Sequence, residues 1–196
     1  MVRRVVGTVA VCLMVGALAP TTASAEAATP SPANIFHGVT PARLLETRFG
    51  EANVTIDHLF EHVDVIGAAS TIEVVIGGRG GVPTDAGAVA LNVTAIAPTA
   101  SSYLTIYPTG ATQPNASNLN LAAGRTLPNM VIVPLGTEGK ISIYNNAGST
   151  HLAVDVLGWY PKTPGAFSGL SPARLLETRA APNVTVDHQF EHDGVL

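Results

Sequence analysis

From residue 70 onward the chain alternates short β-type runs with turn residues. Ala88 to Ile96 is the clearest run: Val89, Leu91, Val93 and Ala95 fall on one face, with Ala90, Asn92 and Thr94 on the other. A period of two is what a half-buried strand requires. Before it, Ile72 to Ile76 reads as a strand ending at Gly77-Gly78-Arg79-Gly80-Gly81. After it come Tyr103 to Tyr107, closed by Pro108-Thr109-Gly110, then Asn118 to Leu121 and Met130 to Leu135, set apart by Gly124 and by Pro128-Asn129. Gly139-Lys140 leads into Ile141, Ile143 and the turn Asn145-Asn146-Ala147-Gly148. His151 to Tyr160 closes the series, with Leu152, Val154 and Val156 facing one way. No window sustains a helical period. The pattern predicts an all-β fold with little helix: two packed antiparallel sheets in a jelly-roll-like β-sandwich, polar faces outward.

The first residues follow a different rule. Arg3 and Arg4 precede an apolar run from Val5 to Ala19, and Ala23-Ser24-Ala25 has small residues at both flanking positions. This is the layout of a secretory signal peptide over residues 1–25, cleaved after Ala25. Cys12 lies inside the apolar run and not after a small residue at its end, so no lipid anchor is expected. No later segment approaches about 20 consecutive apolar residues, which argues against stable membrane insertion once the signal is gone.

The chain also repeats itself. Phe36 to Arg48 reads F-H-G-V-T-P-A-R-L-L-E-T-R, and Phe167 to Arg179 reads F-S-G-L-S-P-A-R-L-L-E-T-R. With one residue deleted, Asn53 to His62 (N-V-T-I-D-H-L-F-E-H) then faces Asn183 to His192 (N-V-T-V-D-H-Q-F-E-H). An offset of 131 residues is too long for a solenoid unit and suits tandem globular domains. The expected organisation is a signal peptide over 1–25, a Pro/Ala/Ser-rich leader over 26–35 and a module over 36–160. A linker over 161–166 and the truncated start of a second module over 167–196 follow. About 30 residues are too few to bury a core alone.

Composition narrows the function. Loss of the signal takes Arg3, Arg4 and the single cysteine with it, leaving 171 of 196 residues and moving the formal charge from −4 to −6. A mature chain without cysteine has no disulfide, so core burial must hold it. An acidic chain with so few bases cannot neutralise a row of phosphates, which excludes nucleic acid as a partner. With 46% hydrophobic and 12% charged residues it is not a disordered region either.

The ordered motifs P-A-R-L-L-E-T-R (41–48), G-R-G-G-V-P (78–83), A-L-N-V-T-A (90–95), Y-L-T-I-Y-P (103–108), N-A-S-N-L-N (115–120) and H-L-A-V-D-V-L-G-W-Y (151–160) carry a resemblance. The span 36–160 resembles a repeat module of secreted actinobacterial proteins that opens on a PARLLDTR-like motif and closes on a DVxGWF/Y-like one. The resemblance implies an exported unit, found singly or in tandem and sometimes beside hydrolase or adhesion domains. It implies no catalytic role.

Several constellations invite chemistry. His58-Leu59-Phe60-Glu61-His62, repeated at 188–192, matches the inverted zincin pattern H-x-x-E-H, in which two histidines one helical turn apart hold zinc and the glutamate acts as base. The β-branched flank Asn53-Val54-Thr55-Ile56 is a poor helix start. The competing reading is a capping loop with polar histidines, and the pattern yields no metal ligand that we assign. Arg43, Glu46 and Arg48, repeated as Arg174, Glu177 and Arg179, suit an anion clamp. Equally, these arginines can pair with Glu46, Asp85 or backbone carbonyls and fix the first strand. Gly77 to Gly81 lacks the Lys-Ser/Thr and the helix of a phosphate loop and reads as a tight turn. Asp155, an acid within an apolar strand, should be paired with an Arg or His from a neighbouring strand. His37 and His151 stand isolated, no G-x-S-x-G elbow occurs, and no catalytic residue or cofactor is expected. Tyr103 and Tyr107, an even number apart, are candidates for a sugar platform, with Tyr144, Trp159 and Tyr160 the other aromatics in reach.

These features describe an exported, non-enzymatic β module acting as an accessory, spacer or adhesive unit, secreted or cell-wall associated. Cell-wall polysaccharide or another surface protein is the expected partner. The alternatives are a carbohydrate- or cell-wall-binding module and, more remotely, a zinc hydrolase using His58, Glu61 and His62.

Overall fold

A computed structural model describes residues 36–163, 167–170, 173–179 and 184–189. The signal segment with Ala25 and the leader 26–35 lie outside the described residues. Eight strands run in the order β1 (His37–Glu46), β2 (Ser70–Val75), β3 (Ala86–Ile96), β4 (Ser102–Pro108), β5 (Leu119–Leu121), β6 (Leu127–Pro134), β7 (Lys140–Asn145) and β8 (His151–Pro161). The helical content among the described residues is the short 3₁₀ turn Thr137–Gly139. The strands form two four-stranded antiparallel sheets, β1-β8-β3-β6 and β2-β7-β4-β5.

The alternation read in β3 sets the first sheet. Val89, Leu91, Val93 and Ala95 are fully buried, and the cross-strand residues Val131 and Val133 of β6 and Leu152, Val154 and Val156 of β8 join them. The second sheet contributes Val74, Leu104, Ile106, Leu119, Leu121, Ile141 and Ile143 to the same apolar cluster. One core therefore draws on both sheets.

Two irregularities decide which side chains reach it. Between Arg43 and Leu45 the β1–β8 register slips, Arg43 facing Asp155 and Leu45 facing Val154. The extra residue breaks the period of two, so the consecutive residues Leu44, Leu45 and Glu46 are all fully buried. A second slip, between Ala90 and Leu91 of β3, leaves Leu157 of β8 unmatched. Beyond it the pleat changes parity, and Trp159 lies opposite the buried Val89 and packs on the core.

The strand limits differ from the sequence reading in two instructive places. Pro128-Asn129, expected to separate strands, belongs to β6, which begins at Leu127. Because β6 is a sheet edge, Pro128 can lie opposite Thr94 without depriving a neighbour of a donor. Likewise Asn145, read as the start of a turn, ends β7. It is fully buried, its amide donating to the carbonyls of Gly67 (2.9 Å) and Gly148 (3.1 Å).

The buried and exposed apolar positions differ sharply in what they contribute. Leu104→Ala, in the middle of the core, is expected to lower unfolding free energy by about 2–5 kcal/mol. Met130→Ala, on the outer side of β6 and 63% exposed, should stay within about 0.5 kcal/mol. Urea titration of both variants measures the contrast.

Candidate functional site

The arginine–carboxylate cluster is assembled at the end of β1. Glu46 sits at the strand's last position and is fully buried, where an unpaired carboxylate would be costly. Arg48 meets it with its backbone N–H (3.0 Å), Nε (2.9 Å) and Nη2 (2.8 Å), and Arg43 adds Nη1 at 2.9 Å. Burial pushes the Glu46 carboxyl up, but the Arg48 side-chain and backbone bonds and the two positive charges outweigh it, so its pKa lies below the ordinary value. Arg43 also grips Asp155 of β8, Nε to Oδ1 at 2.9 Å and Nη2 to Oδ2 at 3.3 Å. Asp155 thus has the neighbouring-strand arginine expected of it. Asp85, considered as an alternative acid, makes no ion pair with these arginines among the described residues.

A second guanidinium lies deeper. Arg79, 6% exposed, projects from the glycine turn between β2 and β3. Gly78, Gly80 and Gly81 have positive φ (82°, 55° and 85°), which lets the chain reverse around it. A Cβ at Gly80 would lie 2.9 Å from Val156 Cγ1 and 3.0 Å from Leu44 Cδ2, so only glycine lets the turn approach this closely. The turn's amides are used within it: Gly78 N–H donates to Val82 O, and Val82 N–H to Arg79 O. Arg79 Nε donates to Asp57 Oδ2 (2.7 Å), Nη1 to Val75 O (2.7 Å), and Nη2 to Asp57 Oδ1 (2.8 Å), Leu44 O (2.9 Å) and Leu59 O (3.1 Å). The Phe60 ring covers the guanidinium at 5.0 Å. The Arg79 bond holds Asp57 at about 2, with burial opposing it and the Leu59 N–H assisting. The sequence pattern showed only a glycine turn here; the arginine's role depends on Leu44, Asp57 and Leu59, which lie 35, 22 and 20 positions upstream.

The histidine segment is an irregular loop. His58, Phe60 and His62 all have φ between 55° and 59°, alternating with ordinary residues, so neither a helix nor a strand runs through it. His58 Nδ1 lies 3.1 Å from Glu61 Oε1, whereas His62 Nε2–H donates to Gly50 O at 3.1 Å and its ring stacks on Phe49. Glu61 accepts the Thr55 N–H (2.9 Å). The two histidines face different partners, and the described residues contain no group of three or more His, Cys, Asp or Glu side chains able to hold a metal. Of the repeat, His188 shows the same positive φ of 56°, and His192 lies outside the described residues. His37 and His151 are not isolated: His37 stacks on Trp159 (4.3 Å), and His151 Nδ1 lies 3.0 Å from Thr47 Oγ1.

A polar cleft of about 490 Å³ opens on the outer side of β4 and β5. Tyr103, Asn115, Ser117 and Asn120 line it with Arg174 and Arg179 of the second copy. The β4–β5 loop is fixed across the sheet by Thr105 Oγ1 donating to Ala116 O (2.8 Å) and Asn118 Oδ1 accepting the Ile106 N–H (2.7 Å). Tyr103 leans on Tyr144 at 6.3 Å. Tyr107 does not share its exposure: it is buried, so the expected two-tyrosine platform reduces to Tyr103 and Tyr144.

No protein-family model matches the chain, and no curated protein matches it.

Removing Arg79 takes a donor from the carbonyls of Leu44, Val75 and Leu59 and from the Asp57 carboxylate, of which Leu59 O keeps the Thr55 hydroxyl and Asp57 the Leu59 N–H. Arg79→Ala is expected to cost about 3 kcal/mol, the low end for breaking a buried pair, because Asp57 keeps part of its hydration. The pH dependence follows from the depressed acids. Asp57 contributes its full stabilisation above the ordinary carboxylate pKa of 3.8, and that contribution is lost as pH falls toward about 2. Arg79→Ala should flatten the fall of unfolding free energy between about pH 4 and 2, read by urea titration across that range.

Proposed function

We propose that the chain is an exported, non-enzymatic repeat module that serves as an accessory, spacer or adhesive unit at the cell surface. The observation that carries this reading is the use of the clustered ionisable groups. Arg43, Glu46, Arg48 and Asp155 tie β1 to β8, while Arg79 and Asp57 tie β1 to β2. Groups committed to backbone and to each other are poor proton shuttles. The strand order supports a jelly-roll-like sandwich, since 1-8-3-6 beside 2-7-4-5 is the order two interlocked Greek keys produce. Such a body suits a load-bearing or spacing unit, and the Arg3/Arg4, apolar-run and Ala23-Ser24-Ala25 layout supports export. N-terminal sequencing of the chain recovered from culture medium and cell-wall fractions tests this; a mature start at Glu26 is expected. Unprocessed chain retained inside the cell contradicts it.

A specific observation favours a second reading, binding of cell-wall polysaccharide. The Tyr103 cleft combines an aromatic face with amide, hydroxyl and guanidinium groups, the mixture that a ring with one apolar face and a rim of hydroxyls requires. On this reading the chain is retained on insoluble peptidoglycan or polysaccharide, and Tyr103→Ala lowers retention about tenfold, the loss of one well-packed aromatic anchor. Retention unchanged by Tyr103→Ala removes the cleft from consideration.

A further inference from the structure

The second copy of the opening motif has kept the local structure of the first. Glu177 is buried between Arg174 (3.1 Å) and Arg179 (2.7 Å), as Glu46 is between Arg43 and Arg48. Arg179 N–H donates to Glu177 Oε1 at 2.9 Å, and Val186 N–H to Arg174 O at 2.9 Å; the counterparts are Arg48 to Glu46 at 3.0 Å and Ile56 to Arg43 at 2.9 Å. The two copies differ in what covers their leucines. Leu44 and Leu45 are 0% exposed, whereas Leu175 and Leu176, in the same eight-residue sequence, are 66% and 57% exposed.

The place where that sequence becomes buried is known within this molecule. It is the edge of β8, which pairs with β3 on one side and with β1 on the other. We propose that this edge is a binding site for a P-A-R-L-L-E-T-R strand, and that residues 173–179 of the same chain are a second occupant, interchangeable with β1. Register along β8 supports the exchange. His37 faces Trp159, Ala42 faces Val156, Arg43 faces Asp155, Leu45 faces Val154 and Glu46 faces Ala153. At the repeat offset these positions are Ser168, Ala173, Arg174, Leu176 and Glu177. Arg174 would take the carboxylate of Asp155, Leu175 and Leu176 the apolar positions of Leu44 and Leu45, and Leu175 O the Nη2–H of Arg79. Asp187, aligned with Asp57, is available to the Arg79 fork.

Topology permits the exchange without a second molecule. β1 runs antiparallel to β8, and the copy follows β8 in the chain, so it enters the site as the return arm of a hairpin. Residues 160 to 167 remain for the connection, more than the about two to five that ordinary hairpins use. Because its Arg–Glu–Arg geometry is already made, the copy loses little further freedom on seating. The substitutions between copies set the resting state. Ser168 cannot reproduce the His37 stack on Trp159, so β1 holds the site in the parent chain, as the structure shows. The exchange does not depend on the proposed surface role; it concerns how neighbouring copies of this motif can complete one another.

Three variants of the full chain test it: Leu44→Asp, Leu175→Asp and the double variant. Thermal unfolding is combined with hydrogen exchange read separately over 37–48 and 173–179. The parent and Leu175→Asp protect 37–48. Leu44→Asp is expected to remain folded and monomeric, with Tm lowered by less than about 10 °C, and to transfer protection from 37–48 to 173–179. The double variant is expected to lose its cooperative transition. Loss of folding in Leu44→Asp to the extent seen in the double variant overturns the proposal. So does a folded Leu44→Asp that still protects 37–48, or a double variant that stays folded. Elution of Leu44→Asp as an oligomer would place the strand in a neighbouring molecule and overturn the intramolecular assignment.

Discussion

The arrangement depends on a guanidinium in a place where little else charged is tolerated. Arg79 is almost fully buried, yet it has five acceptors for its donors and an aromatic ring on its face. Its partners come from different parts of the fold: Leu44 in β1 of the first sheet, Val75 in β2 of the second, and Asp57 and Leu59 in the loop between those strands. A lysine, with three donors on a point charge, has no geometry that serves all of these acceptors. The glycines around Arg79 are therefore the means of bringing a backbone turn close enough to Val156 and Leu44 to insert the side chain.

The same economy governs β1. As an edge strand it carries two register slips and Pro41, a residue that a central strand would not tolerate. The slip at Leu44 places three consecutive residues inside, the last of them an acid. Glu46 then requires two arginines, and one of these, Arg43, requires Asp155. Each buried charge thus calls in the next. The groups that resemble an anion clamp, Arg43, Glu46 and Arg48, are also the ones that fix the end of the first strand.

Much of the architecture was legible because it is local and periodic. The alternation of β3 and β8, the glycine and proline turns, and the absence of any helical period need no partner to be recognised. The pairing of Asp155 with a neighbouring arginine was also readable, since an acid in an apolar strand has few alternatives. What was hidden depends on residues distant in the chain. Pro128 looked like a strand breaker because its edge position cannot be seen from its neighbours. The burial of three consecutive residues, Leu44, Leu45 and Glu46, follows from the β8 register and not from their own pattern. Arg79 was read as part of a glycine turn, and Tyr107 as a surface partner of Tyr103, since neither burial nor the path of the β4–β5 loop is encoded nearby. The histidine segment matched a catalytic pattern by spacing alone; with left-handed residues at 58, 60 and 62, His58 meets Glu61 while His62 turns to Gly50 O.

Arg79 and Asp57 act as one unit joining the strands, and a double-mutant cycle measures this directly. Unfolding free energies of the parent, Arg79→Ala, Asp57→Ala and the double variant, measured at neutral pH, give the coupling. A coupling above about 1 kcal/mol is expected, the double variant costing clearly less than the two single changes together. Additivity within about 0.3–0.5 kcal/mol would contradict the account.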